Sequence, residues 1–149
     1  MNFPMNIEQW RLISGYDNYE VSSHGRVRNN ENNRIMKGKV GKKGYIEYCL
    51  SKNKKQKYYR VSRLVGFAFL DKKENDTEVD HIDHNRANNM VDNLRWTSRS
   101  GNMRNRPKSK NNTSGHQGVC FDKQGYWVAS WYEEKMCRKV FSVSKYGNE

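Results

Sequence analysis

Apolar positions run through the chain in three textures. From Trp10 to Tyr59 they are sparse and short-range, interrupted by Gly15, Gly25, Gly38, Gly41 and Gly44, and they predict short strands over residues 19–22, 26–28 and 45–50. Leu64, Val65, Phe67, Ala68 and Leu70 then make the most apolar stretch, which predicts a short helix packed as a core element. Residues 78–82 read as a strand ending in a loop rich in Asp, His and Asn, and residues 93–97 as a second strand returning against it. Ser98 is placed to cap a helix over residues 99–105, which Pro107 would stop. From Gly115 onward the alternation predicts three strands, over 118–121, 127–132 and 139–143, with turns at 122–125 and around 133–135. The expected class is therefore α+β. The expected parts are a strand-rich module over 1–59, a strand–loop–strand–helix unit over 60–107, a linker over 108–114 and a three-stranded antiparallel sheet over 115–149.

Composition changes this picture in one respect. Only 34% of the 149 residues are hydrophobic, which disfavours one large core and favours thin modules that meet a partner. Charge indicates which partner. Twenty-eight Lys and Arg against 16 Asp and Glu leave a net +12, a surplus that predicts a polyanion. Lys37, Lys39, Lys42, Lys43, Lys52, Lys54, Lys55, Lys57 and Arg60 meet a single acid, Glu47, and are interleaved with Tyr45, Tyr48, Tyr58 and Tyr59. Such a run is often a solvated face, but cations between aromatics also suit a surface that tracks phosphates. Arg99, Arg104, Arg106, Lys108 and Lys110 form a second basic run. No stretch reaches the ~20 apolar residues of a membrane span, and the N-terminus lacks a signal-peptide pattern, so a soluble cytoplasmic protein with no membrane partner is expected. Cys49, Cys120 and Cys137 include no CxxC pair, which argues against a thiolate zinc site and for reduced, half-buried strand cysteines.

The chemistry concentrates in Val79-Asp80-His81-Ile82-Asp83-His84-Asn85. At a twisted strand end a carboxylate can hold a hard cation while the adjacent imidazole reaches past it. Phosphodiester hydrolysis needs that pairing: a divalent ion to neutralise charge and a base, with a pKa near neutrality, to take a proton from water. A lone carboxylate holds metal weakly, and Asn102 on the following helix is a candidate further oxygen ligand. Asp/Asn-rich loops are, on the other hand, commonly plain turns.

The wider pattern supplies a resemblance. Asp80-His81-Ile82-Asp83, Asn88-Asn89, Asn93-Leu94-Arg95-Trp96 and Asn102 together resemble the ββα-metal site of HNH homing endonucleases, and Arg63-Leu64-Val65 with Phe67 and Phe69 is similar to that family's lead-in helix. Upstream, residues 10–16, Tyr19-Glu20-Val21-Ser22 and Gly25-Arg26-Val27 resemble the small NUMOD-type module found ahead of such nucleases. Residues 115–147 are similar to a DNA-binding domain of the ethylene-response-factor type.

The resemblance implies His81 as general base, Asp80 and Asn102 as metal ligands, and Asn93, Asp83 and Asn89 as supports of the loop. It implies Mg²⁺, with Mn²⁺ as a substitute, double-stranded DNA as partner, and a nick leaving 5′-phosphate and 3′-hydroxyl ends; a monomer is the default, with a dimer left open. Arg63, Arg95, Arg99, Arg104, Arg106, Lys42, Lys43, Lys54 and Lys55 are the cations assigned to nucleic acid, although Arg95 can equally pack on Trp96, itself taken as core. The chain departs from the family at Ser62, where a His is common, and at His84, where Gly is common. It also shows no helix pattern after the third region's strands. In that region Trp127, Ala129 and Trp131 would face the missing helix, and Val128, Ser130 and Tyr132 would face DNA. A DNA-binding protein that has lost catalysis and an RNA-binding module are the competing readings.

Overall fold

The computed structural model describes residues 7–105, 107, 110–132 and 135–142. The chain forms two compact units, Met1–Arg106 and Pro107–Glu149. Among the described residues it is a mixed α/β protein built from small antiparallel sheets, two short α-helices and one 3-10 turn.

In the first unit, β1 (Trp10–Ile13), β2 (Tyr16–Ser22) and β3 (Val27–Asn29) make an antiparallel meander. Val21 and Val27 are direct cross-strand partners and both are fully buried. Glu20 and Arg28, paired one step along, form an ion pair at 2.6 Å, and the Arg28 guanidinium lies 4.3 Å from the Trp10 ring centre. A second sheet contains β4 (Lys39–Val40), β5 (Ile46–Lys52) and β6 (Lys55–Arg60). Strand β6 was not expected from the sequence. Its polar, mostly exposed side chains carry no apolar alternation, and it exists through backbone pairing to β5. Asn53 and Lys54, both at positive φ (50° and 61°), make the two-residue turn whose twist matches the flanking strands.

Helix α1 (Val61–Phe69) follows β6 directly and is the hub of the unit. Val61, Leu64, Val65 and Phe69 fall on one stripe and are buried against Ile13, Val21, Val27, Tyr48, Leu50, Val91 and Leu94. Each such burial contributes about 1.5–3 kcal/mol. Segments 1–59 and 60–107 thus share one core. Phe67, expected inside, is 59% exposed because it lies off that stripe, though its ring meets the Trp96 ring edge-on at 4.9 Å. Leu70 is extended and ends the helix.

Strands β7 (Glu78–His81) and β8 (Leu94–Thr97) pair antiparallel, with Asp80 opposite Arg95 and His81 opposite Leu94. A 3-10 turn, Val91–Asn93, precedes β8, and α2 (Arg99–Arg104) follows it. Ser98 caps α2, its hydroxyl accepting from the Gly101 N–H at 3.2 Å. The hairpin docks on α1 at Gly66. A Cβ there would stand 2.8 Å from Val79 Cγ2, while the Gly66 carbonyl accepts the buried Trp96 indole N–H at 2.9 Å.

The second unit contains β9 (Val119–Phe121), β10 (Tyr126–Tyr132) and β11 (Met136–Ser142), with β10 central. Asp122 closes the first turn by accepting the backbone N–H groups of Gln124 and Tyr126 at 2.9 and 3.0 Å, and Gly125 supplies φ +84°. Val128, expected to face a ligand, is instead buried, paired with Cys120 on one side and Val140 on the other; Ser130 and Tyr132 are exposed. The three cysteines are free thiols in strands; Cys49 and Cys137 are half-buried, whereas Cys120 is exposed.

Candidate active site

The loop between β7 and β8 holds its own shape. Asp83 accepts the Asn85 backbone N–H at 2.7 Å and the amides of Asn88 and Asn93 at 2.8 and 2.9 Å. These bonds, led by that from Asn88, hold its carboxyl below the usual carboxylate range. Asn93 also donates to the Asn88 carbonyl at 2.8 Å and accepts the Asp83 N–H at 3.0 Å. One side chain therefore ties both ends of the loop. His84 sits at φ +63°, the left-handed conformation for which Gly is the ordinary choice, and its side chain is exposed.

His81 and Asp80 end β7, and both are buried. Asn89 donates to the carbonyls of Ala87 and Arg86 at 3.0 and 3.4 Å, which turns its Oδ1 toward His81 Nε2 at 3.1 Å. An amide oxygen only accepts. Assigned from this network, the neutral imidazole carries its proton on Nε2 and its lone pair on Nδ1. The first sheet braces this arrangement. The Val91 N–H donates to the Ser23 carbonyl at 2.8 Å, and Gly25, at φ +79°, lies so close that a Cβ would stand 2.7 Å from Asn89 Cβ.

Asp80 lies opposite Arg95, whose Nη2 and Nε donate to Oδ2 at 2.9 and 3.2 Å; Asn105 donates to the same oxygen at 2.8 Å. Among the described residues every hydrogen bond to this carboxylate goes to Oδ2. Arg95 is thus an ion-pair partner of Asp80 rather than a side chain packed on Trp96. The Asn102 amide donates to Glu78 Oε2, one same-face step along β7 from Asp80. Asn102 and Asp80 are therefore on the same hairpin–helix contact but are not bonded to each other. Glu78 and Asn105 escaped the sequence reading. The period-two spacing of Glu78 from Asp80 was a usable signal, whereas Asn105 lies just past α2 and gives none.

The donor set fits a hard divalent cation in kind. Two carboxylates, Asp80 and Glu78, alternate with the amides of Asn102 and Asn105, and each amide can present its oxygen after a half-turn of the side chain. Among the described residues no group of three or more His, Cys, Asp and Glu side chains gathers as a metal site. Any ion here would therefore rely on amide, water or phosphate oxygens beside the carboxylates.

The cations divide. Lys42 and Lys43 are exposed in the β4–β5 loop, where the Lys43 carbonyl accepts from Arg86 of the His81 loop at 2.7 Å. Lys54 and Lys55 are exposed at the β5–β6 turn, and Arg99 and Arg104 are exposed on α2. Arg63 has internal work, donating to the Thr77 carbonyl at 3.2 Å beside the Phe67 and Trp96 rings. Arg106 lies outside the described residues.

Known proteins match both halves of this unit. Residues 59–104 match the HNH endonuclease family, and residues 8–62 match the NUMOD4 motif. The chain is 37% identical over 98 residues to the DNA endonuclease I-HmuI of Bacillus phage SP01, covering 65% of this chain and 56% of that protein. It is 37% identical over 92 residues to an uncharacterized HNH endonuclease of Acanthamoeba polyphaga mimivirus, covering 62% of this chain and 28% of that protein. Identity is 30% over 92 residues to the H-N-H endonuclease F-TflII of Escherichia phage T5, covering 60% of this chain and 48% of that one. A solved structure of I-HmuI, described as DNA binding and cleavage by the HNH homing endonuclease, superposes with a TM-score of 0.59 at 36% identity, over 65% of this chain and 56% of that one. The chain thus spans about a quarter to just over half of the relatives it matches. Its first unit is similar to a NUMOD4 motif followed by an HNH endonuclease segment.

Proposed function

We propose that this chain is a DNA endonuclease that hydrolyses one phosphodiester bond per encounter, leaving a nick. The observation that carries the reading is His81: a buried imidazole with Nε2 fixed by Asn89, its lone pair on Nδ1, next in sequence to Asp80 on a ββα scaffold similar to the HNH type. A base role needs an imidazole held in one tautomer, and DNA binding alone needs no such thing.

In the reaction His81 Nδ1 takes a proton from a water, and the water oxygen bonds to phosphorus as the P–O3′ bond breaks. The leaving oxygen takes up a proton, which gives 3′-hydroxyl and 5′-phosphate ends. Asp80, with an amide oxygen from Asn102, would hold a divalent ion, Mg²⁺ or Mn²⁺, which supplies charge neutralisation at the phosphate. Arg95 and Asn105 fix the Asp80 carboxylate, and Asn93 and Asp83 fix the loop that carries Asn89. Lys42, Lys43, Lys54, Lys55, Arg99 and Arg104 contribute positive potential toward the backbone of double-stranded DNA. The C-terminal sheet, with Ser130 and Tyr132 exposed, adds a second DNA contact of the ethylene-response-factor type, and the active form is a monomer.

Incubation with supercoiled plasmid and Mg²⁺, beside His81→Ala, tests the reading. Conversion to open circle by the parent alone supports it. Equal conversion by both proteins, or none by the parent across divalent ions, overturns it.

A further inference from the structure

Tyr45, in the β4–β5 loop, packs against His81 with ring centres 5.9 Å apart. Two guanidinium groups stand over the same phenol ring. Arg60, at the end of β6, has its Cζ 4.2 Å from the ring centre, and Arg86, in the His81 loop, has its Cζ 4.9 Å away. Both arginines are exposed, and neither forms an ion pair with a described carboxylate, Arg60's cross-strand neighbour Glu47 included. Arg86 is tethered by one bond, Nη1 to the Lys43 carbonyl at 2.7 Å, which leaves its other donors to spare.

Gathering two like charges on one ring is unfavourable in isolation. The ring's negative face offsets part of that cost and pre-orients both groups. Two exposed guanidinium groups with no ion-pair partner among the described carboxylates favour an anionic ligand. Planar guanidinium donors match phosphate oxygens in geometry, and the neighbouring Lys42 and Lys43 add the same sign of charge.

We propose that Arg60 and Arg86, gathered on Tyr45 beside His81, form a seat for a backbone phosphate of DNA next to the phosphate that is cut. The seat draws on both matched segments, Tyr45 from the NUMOD4 stretch and Arg86 from the HNH stretch. Its position beside a cleaved bond rests on the nuclease reading; its capacity to bind a phosphodiester does not.

The test measures equilibrium binding of the full-length His81→Ala protein to a short DNA duplex of arbitrary sequence across a salt series, with melting curves to verify folding. The double substitution of Arg60→Gln with Arg86→Gln should reduce the log–log salt slope by about 0.9, the value for one phosphate, and each single substitution by part of that. Tyr45→Leu changes no charge, so bulk electrostatics predict no effect; the seat predicts binding weaker by about two- to fivefold. Folded variants with the parent's slope, or a Tyr45→Leu protein with the parent's affinity, would overturn the proposal. A parent that never cuts DNA while these shifts appear leaves the seat standing and removes the nuclease reading. A parent that cuts while the shifts are absent removes the seat alone.

Discussion

The β7–β8 hairpin and the β9–β10–β11 sheet make an instructive pair. The first has two strands, the second three, yet the smaller one is the better buried. Asp80, His81, Leu94 and Trp96 are all buried in the hairpin, whereas Val128 is the only buried residue among those described in the larger sheet. Met136, Tyr132, Val140 and Trp131 of that sheet are 44–70% exposed. Strand count is therefore not what decides burial. Helix α1 covers the hairpin so closely that a Cβ on Gly66 would force Val79 to shift, and α2 packs on β7. Small sheets gain independent stability from a covered apolar face, and a covered sheet can hold an imidazole buried and hydrogen-bonded in one tautomer.

The strongest way to break this contrast is His81→Ala. The protein should still fold, with an earlier melting transition from the lost Asn89 bond and Tyr45 contact, while plasmid nicking falls about 10²- to 10⁴-fold, the scale of a general base. Asn89→Ala comes next. With Nε2 no longer held, nicking should fall by about 10- to 100-fold, the scale for a partner that orients a functional imidazole; unchanged turnover would mean the tautomer is set by something else. Gly66→Ala tests the cover itself. The added methyl meets Val79 and should destabilise the first unit by about 1–3 kcal/mol, read as an earlier thermal transition and faster amide exchange in β7 and β8, with β10 amides unaffected.

The smallest effect concerns Glu8, whose carboxyl is held below its usual range chiefly by a hydrogen bond from Arg26. A lowered folded pKa lends stability above the ordinary carboxylate value, lost as pH falls through the folded one. The melting difference between parent and Glu8→Gln should thus be largest at neutral pH and vanish in acid. A pH-independent difference would show that packing, not charge, is what Glu8 supplies.

Much of the site was legible because its signals are local. Asp80 and His81 at a strand end and Ser98 as a cap follow from short-range chemistry, while Asn93 as a loop tie follows from the family resemblance. The long-range partners were not. That Asn102 would meet Glu78 while Asn105 meets Asp80 depends on the angle at which α2 crosses β7, which no spacing encodes. Arg95 read as a nucleic-acid contact or a side chain packed on Trp96, because only the hairpin register places it opposite Asp80. Strand β6 was invisible because Lys55, Gln56 and Lys57 owe their conformation to a neighbour's backbone. Phe67 was misplaced for the reverse reason: in a nine-residue helix a single apolar residue off the stripe looks like core until the stripe is drawn.

Gly25 has a practical consequence for anyone who would re-target such a protein by exchanging its front module. Its bare α-carbon is the notch into which Asn89 fits, and Asn89 holds the imidazole. A donor module with an alanine there would push Asn89 aside and loosen its hold on the imidazole. The two segments behave less like beads on a string than like a key cut for one lock, so any exchange must carry that glycine and the neighbouring Ser23 carbonyl across the seam.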